Sequence, residues 1–455
     1  MKIIPNKVNA LDRAIEEVYP FKGYASTLRR RLNNFLEEYL KITKSFLIEE
    51  KYIEWEWRES YSIHYSKTFY ENITPYVCRI HFISDNIEKI ESVSDENYLG
   101  YITLRPVPSP NHALSRIRLR PLKGIYYLQK KESLYLMTAT YNVNFPNKKL
   151  KINVFPFYAQ DSMVCVCAHA DILMMSEFMH KKHGLDRPKI QGFLEELIPM
   201  SGRTVPSEGL SIEQIMISLQ KNNYPANLVM FENGKEKRSG IEAVDYIDVL
   251  IESCIPCILA FDEHVIIFAG HTLIEKEGRP DIRYVIFDDS GYHIRNTFKK
   301  GEKYTCIISK SELMEALRGK DSNESKNSFL IFIEFDKVFY GYRYLYYYIL
   351  NRLKEISPEL APLETRSLII DSSFLKQILN KNGITTFNDV PLPHYVWLTE
   401  WYNGKRGKTH DLMYLSLVNA ASHKYDYKYS LLKDKEGKCL ISWKGKNPVG
   451  LLRKI

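Results

Sequence analysis

Phe155 to Gly184 reads FPFYAQDSMVCVCAHADILMMSEFMHKKHG, and the pattern of this stretch changes midway. A short extended segment, Val154 to Tyr158, leads into Gln160 and Asp161 and then two cysteines, Cys165 and Cys167. From Ala168 the apolar residues Ile172, Met175, Phe178 and Met179 recur at helical spacing as far as Gly184. A cysteine in the first turn of a helix sits at the positive end of the backbone dipole, which favours thiolate over thiol. A glutamine amide a few residues upstream can donate to an oxyanion that forms beside that sulfur. The stretch gains chemical meaning if the rest of the chain supplies a base and an orienter.

Working outward, 455 residues are enough for two or three domains with a sizeable core. Apolar content of 45% with 26% charged residues marks a globular chain rather than a disordered one. The net charge of +8 is spread along the sequence; it permits an acidic partner without demanding nucleic acid. No apolar run reaches transmembrane length and the N-terminus lacks an apolar signal core, so no membrane partner is expected. Seven cysteines, an odd number, then read as reduced thiols in a cytoplasmic protein.

Residues 1–150 read as an N-terminal α+β region. Residues 26–48 suggest an amphipathic helix capped by Ser26 or Thr27, with Leu28, Leu32, Phe35, Leu36 and Tyr39 on one face. Its basic triplet Arg29–Arg31 reads as a solvated face. From Tyr52 the alternating, aromatic runs YIEWEWRESYSIHY, YVCRIHFIS and YLGYITLRPVP read as antiparallel strands. Residues 151–335 form the expected core domain. After the cysteine helix, Ser211 caps a second helix and NLVMF (227–231) is a short strand. A further helix covers 240–253, and the runs CILAF, HVIIFAG and RYVIFDD are apolar enough for a sheet covered on both faces. SFLIFIEF (328–335) would extend or border that sheet. Residues 336–455 read as a C-terminal α+β extension with a tyrosine-rich stretch at 339–348.

A cysteine at a helix start, a histidine opening a strand about a hundred residues later and an acid ending the next strand make a nucleophile, base and orienter. The order here is Cys167, His264, then Asp289 or Asp288, with Gln160 as the side-chain half of an oxyanion hole and the Cys167 N–H as the other half. These words resemble the papain-like cysteine peptidases, in particular the bacteriocin-leader-cleaving (double-glycine) peptidases. Three matches carry the resemblance. CAHADILMM sets Ala170, Ile172 and Met174 where that family has alanine, leucine and methionine; HVIIFAG matches its histidine, apolar run and glycine; YVIFDDSG resembles the strand ending in its orienting residue. YLGYITLRP and FPFYAQD…CAHA are also similar to an uncharacterised group of bacterial papain-like proteins. The resemblance implies an α+β fold whose papain-like core packs a nucleophile helix on an antiparallel sheet. It departs from the family in spacing: glutamine to cysteine is usually six, whereas Gln160 to Cys167 is seven and Gln160 to Cys165 five. A one-residue insertion accommodates Cys167, which the small and apolar residues after it favour. Ala168 stands where a glycine or aromatic usually follows the nucleophile.

Blander readings weigh on the remaining candidates. Cys78, Cys165, Cys254, Cys257, Cys306 and Cys439 read as small buried hydrophobes. Cys254-Ile255-Pro256-Cys257 has metal-ligand spacing but no second pair at zinc-ribbon distance, so core packing is preferred. His180 and His183, near a helix C-terminus with His169 further up, read as dipole partners rather than ligands. No metal and no cofactor is expected. His271 competes with His264, but it follows the glycine, whereas the base belongs at the start of that strand. Asp289 suits the orienter better than Asp288, which would face the other side of its strand.

The expectation is a cytoplasmic cysteine peptidase that cuts a protein or peptide substrate through a thioester, within a bacterial stress or defence pathway by association alone. The terminal regions would select substrate or dock a regulatory protein partner. Deamidase or transglutaminase-like acyl transfer uses the same triad, and a catalytically silent peptide-binding module is the rival from another class. Nucleic-acid binding ranks below these.

Overall fold

Runs rich in Tyr, Val, Ile and Phe pair antiparallel throughout the computed structural model, giving a mixed α/β protein of antiparallel sheets and helices. The structure describes residues 1–6, 10–122, 132–195, 205, 207, 209–261, 264–276, 279–287, 307–318, 325–339, 341–356, 358–381, 392–402, 412–421, 430–434, 439–443 and 451–452.

The N-terminal elements are β1 (Lys2–Pro5), α1 (Ala10–Val18), α2 (Lys22–Ile42), β2 (Ser45–Tyr52), α3 (Trp55–Ile63), β3 (Val77–Ile83), β4 (Tyr98–Leu104) and β5 (Leu114–Leu119). They continue into β6 (Ser133–Leu136), β7 (Ala139–Phe145), β8 (Lys148–Val154) and β9 (Phe157–Tyr158). The first sheet runs β1-β2-β3-β4-β5-β9, and β7 pairs with β8.

Two expectations are corrected here. The helix expected over 26–48 starts at Lys22 and ends at Ile42, where Thr43 Oγ1 donates to the Tyr39 carbonyl at 2.7 Å. Beyond it Phe46, Leu47 and Ile48 are buried in succession, a pattern that a strand between two neighbours satisfies and an amphipathic helix does not. The run after Tyr52, expected as a strand, is helix α3. Its alternation stops at Trp57, and the buried Glu56, Trp57 and Ser60 share one helical face.

The second set comprises α4 (Cys167–His183), α5 (Ile190–Glu195), α6 (Ile212–Lys221), β10 (Ala226–Glu232), β11 (Lys235–Glu236), α7 (Ala243–Glu252), β12 (Cys257–Phe261), β13 (His264–Lys276), β14 (Arg279–Phe287), β15 (Ile307–Ser309), α8 (Lys310–Leu317) and β16 (Asn327–Ile333). Ser211 caps α6 in a reciprocal box with Gln214. The sheet order is β11-β10-β16-β12-β13-β14-β15, and β6 also pairs with β13. β16 does not border the sheet but lies inside it, between β10 and β12, with Ser328 and Leu330 to Ile333 all buried. Helix α4 packs against β9 and across β12, β13 and β16.

A third sheet follows the helical tyrosine-rich segment 342–356: β17 (Glu364–Asp371), β18 (Tyr395–Tyr402), β19 (Leu412–Asn419), β20 (Ser430–Asp434), β21 (Cys439–Trp443) and β22 (Leu451–Leu452), in sequence order. It docks on the end of α7, where the Ile369 N–H donates to Ser253 Oγ at 2.9 Å and Arg366 Nη2 pairs with Glu252. Among the described residues, no helix is long and apolar enough to cross a membrane.

Candidate functional site

Helix α4 begins at Cys167 because Val166 is extended (φ −103°, ψ −178°), and it ends at Gly184 in the left-handed conformation (φ 76°). Residues 168–179 are buried except for the half-buried Glu177, so the helix is covered nearly all round, as expected for one at the centre of a domain. The two candidate cysteines differ in access. Cys165 is fully buried in the loop before the helix, whereas Cys167, the first helical residue, is half-buried. The first N–H groups of a helix lack intrahelical acceptors, and the earliest i→i−4 bond involving Val166 is Ala170 N–H to its carbonyl at 3.1 Å.

The loop ahead of the helix is closed by one carboxylate. Asp161 Oδ1 accepts from the backbone N–H of Met163 (2.9 Å), Val164 (2.8 Å) and Cys165 (3.1 Å), while the Asp161 N–H donates to the Cys165 carbonyl at 2.8 Å. Ser162 turns the chain at φ 67°. Those three N–H groups are therefore engaged, and the helix N-terminus at Cys167 is the donor end that follows them.

Gln160 is half-buried and its backbone is pinned from the first sheet. Arg105, fully buried just past β4, donates from Nη1 to the Gln160 carbonyl at 2.9 Å and from Nη2 to the Ala159 carbonyl. Tyr65 donates its hydroxyl to the Asp161 carbonyl at 3.1 Å. His112 is half-buried beside Arg105; burial, and then the Arg105 cation, hold its imidazole below the usual histidine value. None of these contacts was foreseen from sequence. The available signal was an arginine inside the otherwise apolar run YITLRP.

His264 is the first residue of β13, half-buried, across the hairpin from Phe261, whose ring it meets edge-on at 6.5 Å. The described part of β14 ends at Phe287, opposite Ile267. The Phe287 ring stacks on Phe155 at 5.4 Å and touches Phe157 at 5.9 Å, and Phe155 stacks on Phe178 of α4 at 5.4 Å. This aromatic column joins the described end of β14, the segment leading to Gln160 and helix α4. Asp288 and Asp289 lie outside the described residues.

The competing histidine has a different setting. His271 is buried on β13, its Nε2 3.1 Å from Glu252 Oε1, its ring 5.5 Å from that of Tyr135. Burial raises the Glu252 carboxyl, but His271 and Arg366 outweigh it and hold the group well below the carboxylate range. His271 thus ties β13 to α7 and, through Arg366, to the third sheet.

The histidines of α4 have carbonyl partners or none. His180 Nδ1 lies 2.6 Å from the Leu185 carbonyl and His183 Nε2 3.0 Å from the Cys254 carbonyl. His169 is buried without a hydrogen-bond partner among the described residues; burial, partly offset by Asp161, pushes it down to about 4, so its imidazole is neutral. Among the described residues no group of three or more His, Cys, Asp or Glu is placed to hold a metal ion. Cys257 is buried in β12 and Cys254 sits at a positive φ of 58° before it.

No family model and no curated protein matches the chain. Among solved structures, a crystal structure of UfSP from C. elegans overlays at a TM-score of 0.24 and 12% identity, over 46% of this chain and 36% of that one. The chain therefore spans little more than a third of that neighbour, and so loose an overlay decides nothing about the site.

Proposed function

We propose that the chain is a papain-like cysteine hydrolase, and within that class a peptidase acting on a protein or peptide substrate. Cys167 is the nucleophile, His264 the base, Asp289 the orienter, and Gln160 with the Cys167 N–H the oxyanion hole. The Cys167 thiolate adds to the substrate carbonyl, and the electron pair of the carbonyl moves onto oxygen, where the Gln160 amide and the helix N-terminus stabilise it. Collapse breaks the C–N bond as the His264 imidazolium protonates the leaving amine. Water, deprotonated by the same imidazole, then hydrolyses the thioester to the carboxylic acid and free thiol.

The observation that carries this reading is the contrast between the two cysteines. Cys167 is accessible at the first position of α4, directly after a loop fastened by Asp161, whereas Cys165 is sealed in the core. The test is alkylation by iodoacetamide at pH 6, mapped by mass spectrometry, in wild type and in His264→Ala. Selective labelling of Cys167 that drops in the variant supports an activated thiolate paired with that histidine. Labelling of Cys165 instead moves the nucleophile by two residues. Absence of preferential labelling at either position rejects the hydrolase and leaves a peptide-binding module.

A further inference from the structure

We infer that Arg105 is a positioning residue that sets the Gln160 amide for catalysis, an inference that rests on the hydrolase reading. Arg105 is fully buried, and among the described residues no carboxylate lies within ion-pair distance of it. Its guanidinium spends its donors on backbone carbonyls: Gln160 at 2.9 Å, Ala159, and His112 at 3.4 Å. The ring of Tyr158 lies 5.1 Å from it. A buried cation is costly to desolvate; Asp161 and Glu54 stabilise its charge from beyond ion-pair distance, yet apolar residues could fill the same space without that cost. What the planar fork gains is geometric. It grips the two consecutive carbonyls that flank the Gln160 Cα, which fixes the peptide planes on both sides of the residue and so the direction of its side chain.

Tyr65 holds the next carbonyl, that of Asp161, and Asp161 in turn closes the loop to Cys165. Residues of the first sheet and its helices therefore define where the Gln160 amide sits relative to the start of α4. The fixed positive charge also raises the potential at the place where an oxyanion would develop.

Two chemistries separate this role from simple support of the fold. Alkylation by iodoacetamide displaces iodide at a tetrahedral carbon and forms no oxyanion. Acylation by p-nitrophenyl acetate joins the Cys167 sulfur to the carbonyl carbon, places the π pair on oxygen, and on collapse expels p-nitrophenolate to leave an acetyl thioester. Wild type, Gln160→Ala, Arg105→Lys, the double variant and Tyr65→Phe are compared by both rates. The expected result is acylation slowed about 100-fold in both Gln160→Ala and Arg105→Lys, with alkylation within about twofold of wild type. The double variant should be no slower than Gln160→Ala alone, because Arg105 acts through Gln160. Tyr65→Phe, which keeps the ring and removes one hydrogen bond, should slow acylation about fivefold and serves if Arg105→Lys does not fold. Unchanged acylation in Arg105→Lys and Tyr65→Phe, or losses that multiply in the double variant, overturns the inference alone. A wild-type protein whose Cys167 is not selectively alkylated overturns the hydrolase reading, and this inference with it.

Discussion

Arg116 of β5 grips Glu177 of α4 with both Nη1–carboxylate distances at 2.9 Å, at the level of the helix three turns beyond Cys167. The same arginine reaches Glu54 (3.3 Å) and Glu56 (2.7 Å), and Arg118 adds a second contact to Glu177 at 2.7 Å. Burial alone would raise the Glu177 carboxyl, but Arg116 and Arg118 outweigh it and hold the group at about 2. Helix α4, which begins at Cys167, is thus locked to the first sheet by charge as well as by packing.

The pH dependence of that lock has a definite sign. A carboxyl depressed in the folded state contributes stability above its unfolded value, and the contribution is lost as pH falls towards the folded value. For Glu177 the window runs from about pH 4.5 down to about 2, and the contribution is about 3 kcal/mol. Glu177→Gln should be less stable than wild type at pH 6 by about 3 kcal/mol, since Arg118 loses this carboxylate and Arg116 is left with Glu54 and Glu56. On acidification to pH 2 the melting temperatures of the two proteins should converge. Parallel melting curves across that range would show that the pair does not lock the helix.

His271 and His264 should respond differently to removal. His271 joins Glu252, which keeps Arg366 as its partner, so His271→Ala removes one hydrogen bond and the ring packing on Tyr135 and should cost about 1 to 2 kcal/mol of stability. Alkylation of Cys167 below the melting temperature should nevertheless match wild type. His264→Ala should show the reverse, near-native melting with slowed alkylation. Slowed alkylation in His271→Ala at full folding would transfer the base to that residue.

The elements that sequence exposed are those whose signal is local. The cysteine helix, the Ser211 capping box and the strands CILAF, HVIIFAG and RYVIF follow from periodicity and caps, which are properties of neighbouring residues. The place of β16 inside the sheet, the pairing of β6 with β13 and the grip of Arg105 on Gln160 are contacts between residues far apart in the chain. Nothing local in SFLIFIEF separates a central strand from a bordering one. YIEWEW misled because two tryptophans at alternating positions mimic a strand, while the helical face that buries Glu56, Trp57 and Ser60 appears only when Glu56 finds Arg116. At the candidate site Cys167 and Gln160 were visible as residue types, but the buttress behind them was not.

Glu334 offers a second pH test, of opposite sign. Its half-buried carboxyl lines a cavity of about 800 Å³ beside β10, among Leu228, Met230, Phe335 and Phe339, and accepts from Asn227 Nδ2 at 3.0 Å. Burial pushes it up to about 7. An acid raised in the folded state destabilises as pH climbs from its unfolded value through its folded one. Glu334→Gln, which keeps the shape and the amide contact, should therefore match wild type at pH 4 and exceed it at pH 8, by up to about 3 kcal/mol. Equal stability at pH 8 would mean that water reaches the carboxylate and no desolvation is stored there.

Gly270, the glycine that closes HVIIFAG, has a backbone reason to be glycine. A Cβ built there would stand 2.3 Å from the Tyr135 carbonyl oxygen and 2.9 Å from the Leu136 Cα, both backbone atoms of β6. Gly270 pairs with Leu136 on one side and Val285 on the other, next to the bulge between Phe268 and Gly270. Gly270→Ala would drive β6 off the edge of β13, at a cost of about 2 to 4 kcal/mol set by the lost pairing and the strain. Hydrogen exchange should then show Leu134 to Leu136 opening while Cys257 to Phe261, protected between β13 and β16, stays closed. If Leu134 to Leu136 keep their protection in a folded Gly270→Ala protein, the close approach of β6 is not what requires the glycine.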